Sequence, residues 1–134
     1  MGALYQAGPN SLLTFLFLTV LLGGAASLAA GRALAATWRP ASHCVLYAAP
    51  IAAAIAFLHF ALFEESVIPF FTIGAALAQI PSEPLAGLAN VFVNLRGFLV
   101  LFVIHSFFAA IGYRLTRQRQ MKSQYGFSRG SSKN

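Results

Sequence analysis

The sequence predicts an all-α integral membrane protein with three transmembrane helices and an interfacial or re-entrant segment between the second and third. Apolar residues fill 58% of the 134 positions and charged residues only 9%, against roughly 45–50% and 25% in soluble domains. A soluble fold of this size could not cover itself, and a disordered chain would fall far below a mean hydropathy of +0.72. Uncharged apolar runs recur at about 20 residues, the length that crosses a hydrocarbon core of roughly 30 Å. The formal net charge of +6 is also segregated, because Arg114, Arg117, Arg119, Lys122, Arg129 and Lys133 close the chain with no acid among them.

The first span is read at about 11–31, uncharged until Arg32, with Asn10 or Ser11 available as helix cap after Pro9. Its arginines follow rather than precede it, and its apolar run exceeds that of a signal peptide, so it is expected to be retained. The second span, about 41–63, contains His43, His59 and Pro50 and closes at Glu64 and Glu65. Proline is tolerated inside a membrane helix, where neighbouring groups satisfy the freed carbonyl. Residues 67–80 are apolar but too short to span, contain Pro69, and end at Pro81-Ser82-Glu83-Pro84. Leu85, Leu88, Phe92 and Leu95 share one face of a short expected helix within the outer loop, 64–90, and the start of the next span. The third span, about 91–113, has Arg96 near one end, where its stem can snorkel. These spans make up a transmembrane domain over 1–113, followed by a basic cytoplasmic tail over 114–134 whose first half extends the last helix.

Three crossings place Arg32 and Arg39 on the same side as the basic tail, as the positive-inside rule requires. A fourth crossing would separate them. The expectation is therefore a bacterial inner-membrane protein, N-terminus outside and C-terminus in the cytoplasm. A pI near 10.3 could indicate nucleic-acid binding. In so lipid-compatible a chain the charge instead points to orientation and anionic headgroups, and no nucleic-acid partner is expected.

Candidate chemistry is sparse. The single Cys44 excludes a disulfide framework and a multi-cysteine metal site. All three acids lie outside the spans, so no intramembrane carboxylate offers a proton path. His43, His59 and His105 invite a haem or metal reading. His59 lies about 6 Å below the outer end of its span and His105 about 21 Å if the third span begins at Val91; a start at Gly97 narrows that mismatch to roughly 6 Å. The expectation is interhelical hydrogen bonding, with no catalytic, cofactor-binding or metal residue, and no enzyme.

Packing is better marked. Gly23, Ser27 and Gly31 recur every four residues in the first span, and Ala48, Ala52 and Ala56 do so in the second. Small residues let membrane helices approach closely. The two strips are expected to pack on each other, the alternative being that one meets a partner subunit or a second copy. Trp38, Arg39, Arg114, Arg117, Arg119, Lys122, Tyr125 and Phe127 are candidates for contact with lipid headgroups or a partner, with Trp38 and Tyr113 as interfacial anchors.

Three stretches, GRALAATWRP (Gly31–Pro40), FLHFALF (Phe57–Phe63) and RLTRQRQMKSQYGF (Arg114–Phe127), resemble a family of small, uncharacterised bacterial inner-membrane proteins. Members are often encoded beside branched-chain amino-acid ABC transporters. The resemblance implies a non-catalytic three-helix accessory subunit packed against a larger membrane complex, with such a transporter as the candidate. It assigns no catalytic residue. Two alternatives stay open: a haem- or redox-associated subunit using His59 and His105, and a small homo-oligomeric channel or carrier.

Overall fold

A computed structural model of the protein describes residues 11–63 and 70–130, all helices and turns, with no strand among the described residues. Glu64 and Glu65 lie outside them. The first helix, α1, covers 11–36 in three consecutive stretches: α-helical Ser11–Thr14, π-helical Phe15–Gly23 and α-helical Gly24–Ala36. Helix α2 is His43–Phe63, with Pro50 inside it. Helix α3 is the short Phe70–Gln79, and α4 runs unbroken from Pro84 to Gly130. Three of the four (α1, α2 and α4) are long and apolar enough to cross a membrane. At ten residues, α3 rises only about 15 Å.

The π-helical stretch follows from which side chains must face inward. Thr14, Leu18, Thr19, Gly23, Ser27 and Gly31 are all buried. A step of five from Thr14 to Thr19 would swing about 140° around an α-helix. The wider π turn, marked by the Gly24 N–H reaching the carbonyl of Thr19, keeps both on one side.

The bundle is held where α1 and α4 run side by side in the same direction. A Cβ on Gly31 would collide with the carbonyl of Ala109, and one on Gly112 with the carbonyl of Leu28. The α1 strip therefore meets Ala109 and Gly112 of α4 rather than the alanine strip of α2. Ala52 and Ala56 of α2 instead surround Leu18 and Leu101, with Ile55 completing the cluster. Each strip receives what its shape admits: a backbone on glycine, a leucine knob on alanine. Ala48 is also buried. A second cluster joins Leu34, Cys44 and Ala109 beside Tyr113, so α2 runs opposite to its two neighbours.

The short helix expected at 85–95, the third span and the start of the tail are one 47-residue helix. Arg96 and Arg114 bracket a 17-residue uncharged stretch of α4, about 26 Å long. Residues 84–95 extend beyond it and form a hairpin with α3. Gly87 lies against Ile80, where a Cβ would come within 2.8 Å of the Ile80 backbone nitrogen. Asn90 donates to Gln79 Oε1 at 3.0 Å, and Gln79 donates in turn to Glu83 at 3.1 Å.

Gly31→Ala should cost about 1–3 kcal/mol, because its methyl meets backbone rather than a yielding side chain. A Cβ added at Gly74 would meet nothing within 4 Å, so Gly74→Ala should be neutral or gain up to about 1 kcal/mol from helix propensity. Reversible unfolding in bicelles, with both variants compared against the parent chain, measures the difference.

Candidate functional site

Two groups of side chains stand out, one inside the bundle and one at its basic end. The inner group is a seam of buried polar residues among α1, α2 and α4: Thr14, Thr19, Ser27, His59 and His105. Thr19 Oγ1 and His59 Nε2 are hydrogen-bonded at 3.0 Å between α1 and α2. His105 Nδ1 is bonded to the carbonyl of Leu101 one turn back. A carbonyl only accepts, so this nitrogen carries the proton and Nε2 is left as an acceptor. That Nε2 is buried without a partner, as are the hydroxyls of Ser27 and Ser106.

The His105 ring fills the notch left by Gly23, with no room for even a methyl group between them. His59 bonds to Thr19 and His105 packs on Gly23, four residues apart on α1, or about 6 Å along the axis. His59 has its Nε2 engaged by a hydroxyl and His105 has its Nε2 against backbone, so the pair does not present two imidazoles to one metal. No group of three or more His, Cys, Asp or Glu able to hold a metal occurs among the described residues. His43 sits at the far end of α2, away from both.

The outer group closes the turn between α1 and α2 onto α4. Arg39 N–H donates to the carbonyl of Leu34 and Trp38 N–H to that of Ala35, the paired bonds of a Schellman helix end. The left-handed position in that motif is held by Trp38, at φ 58°, where glycine is the usual occupant. Such a backbone costs a bulky L-residue about 1–2 kcal/mol. The indole is 61% exposed and carries the Arg117 guanidinium 4.3 Å above its centre. A cation–π stack at an exposed site is worth about 0.5–1 kcal/mol. The ring thus does not by itself offset the strain of its own backbone.

Tyr113 ties the same parts together. Its hydroxyl donates to the carbonyl of Arg39 at 2.8 Å and accepts from Arg117 Nε at 3.3 Å. Gln120 reaches back to the carbonyl of Ala35 at 3.5 Å, leaving its buried Oε1 without a donor. The turn bearing Arg39 and the part of α4 bearing Arg114, Arg117, Arg119 and Lys122 therefore share one end of the bundle. Glu83, the sole acid among the described residues, precedes α4 at its other end, about 50 Å from Arg117 along the axis. Arg114, Arg119, Lys122 and Tyr125 are exposed on α4. The Phe127 side chain lies outside the described residues.

A family model described as a domain of unknown function (DUF6867) matches residues 10–79, more than half of the 134 positions. The chain belongs to this family. The DUF6867 match takes in α1, α2 and α3 and ends at Gln79, where α3 ends. No curated protein and no solved structure matches the chain.

Sequence reading passed over Thr19, Ala109, Gly112 and Gln120. Thr19 lies four residues before Gly23 and continues the strip marked by Gly23, Ser27 and Gly31, so its phase was available. Ala109 and Gly112 form a small-xx-small pair within an otherwise bulky span, a weaker signal than a four-residue repeat. Nothing in the residue pattern marks Gln120, which acts through its reach.

Thr19→Val removes the hydroxyl that pairs with His59 while keeping the volume, and should cost about 0.5–2 kcal/mol, the range of interhelical hydrogen bonds in membranes. Unfolding in bicelles measures it. A histidine side-chain resonance unchanged by the substitution would show that the bond does not form.

Proposed function

We propose that this protein is a non-catalytic, three-span accessory subunit that packs against a larger membrane-protein complex. The observation that carries the reading is the outer hairpin of α3 and α4. Its row Leu85, Leu88 and Phe92 is 84%, 57% and 65% exposed, on the segment that precedes Arg96. With Arg96 and Arg114 taken as the hydrocarbon boundaries, this row stands up to about 16 Å beyond the nearer one. Lipid tails do not reach that far, and an apolar row in the polar layer needs a protein to cover it.

The rest of the bundle supports the same reading. Its interior is occupied by close backbone contacts and the Thr19–His59 hydrogen bond, and the unpartnered Nε2 of His105 faces the backbone of Gly23. The family resemblance of the sequence points to an amino-acid ABC transporter as the assembly. On this reading the short α3 lies at the outer interface or re-enters it, the N-terminus faces outward, and the basic end faces the cytoplasm of a bacterial inner membrane.

Copurification in mild detergent, with mass spectrometry of the eluate, should recover a multi-span partner in near-stoichiometric amount. The double variant Leu88→Glu, Phe92→Glu should insert normally and lose that partner. A parent chain that always emerges alone, or a double variant that retains the partner in full, defeats the proposal.

A further inference from the structure

The geometry points to a binding site for the phosphate of an anionic phospholipid headgroup, built by Arg117 on Trp38 at the basic end of the bundle. This does not depend on the accessory role proposed above.

Arg117 is oriented before any ligand arrives. Its Nε is spent on the Tyr113 hydroxyl and its flat face rests on the indole of Trp38. Both Nη groups remain without a partner among the described residues. A guanidinium held by its Nε edge and by one face offers its remaining N–H groups as a fork, the geometry that binds phosphate bidentately. Arg39, exposed beside it, adds a second cation, and among the described residues no acid is within reach to neutralise either one. The left-handed backbone of Trp38 gives the site its platform. A glycine there would end the helix without strain but would leave the guanidinium unsupported, and uncompensated backbone strain tends to collect at ligand sites.

Depth selects a lipid over a dissolved anion. Tyr113 closes the uncharged stretch of α4 that begins after Arg96, so the site lies where hydrocarbon gives way to headgroups.

The test is native mass spectrometry of the full chain in nonionic micelles doped with phosphatidylglycerol or phosphatidylcholine, alongside Arg117→Lys and Arg119→Lys. Lysine keeps the charge but neither stacks nor forks. The site predicts phosphatidylglycerol adducts on the parent chain and on Arg119→Lys, about tenfold weaker binding to Arg117→Lys, and little phosphatidylcholine. Circular dichroism checks that each variant keeps its helix content. Equal binding to both variants and the parent would mean diffuse attraction to a basic surface and would overturn the site. Displacement of the lipid by millimolar inorganic phosphate would overturn its assignment to a lipid.

Discussion

The approach of α1 to α4 at Gly31 and Gly112 is the constraint on which the rest of the bundle depends. Between membrane helices there is no hydrophobic gain in pushing apolar surfaces together, since lipid is as apolar as leucine; association comes from van der Waals contact and interhelical hydrogen bonds. Backbone must then touch backbone, which only small residues allow. Once Gly31 meets Ala109 and Gly112 meets Leu28, the levels of His105 against Gly23 and of Leu101 against Leu18 are set. The Arg39 turn is thereby brought beside Tyr113 and Arg117.

That same closeness explains how so many polar groups are accommodated. Thr19, His59, Ser27 and His105 are fully buried among the helices. Each unpaired polar atom there carries a penalty of about 1–3 kcal/mol. The Thr19–His59 pair and the His105 bond to Leu101 one turn back on its own helix remove part of that penalty, and the first of them, joining α1 to α2, fixes a register that the α1–α4 glycine contacts do not set. The unpartnered Ser27, His105 and Ser106 atoms lie on α1 and α4, where the packing is tightest and rearrangement costs most.

Much of this was legible in the residues. Composition and the spacing of charges give three long apolar helices, because both reflect the solvent rather than the neighbours. The small-residue strips were visible for the same reason. Their pairing was not. A four-residue repeat says that a face is thin, while its choice between Leu101 and the Ala109 carbonyl depends on shapes contributed by distant parts of the chain. The π turn was hidden because it arises from the demand that Thr14 and Thr19 both face inward. Trp38 in a glycine conformation contradicts its own local propensity and becomes sensible only once Arg117 and Tyr113 are beside it.

The unbroken α4 has a mechanical consequence. At 47 residues it is a rod of about 70 Å, gripped at a waist near Ala109 and unsupported by α1 or α2 at either extremity. Such a rod is a lever with its fulcrum at the glycine contacts. From there Leu85 is about 36 Å away and Tyr125 about 24 Å in the other direction. A rocking of about 5° would sweep the first through roughly 3 Å and the second through roughly 2 Å in the opposite sense. Torque applied at one end of the bundle is thus delivered to the other without any change in fold.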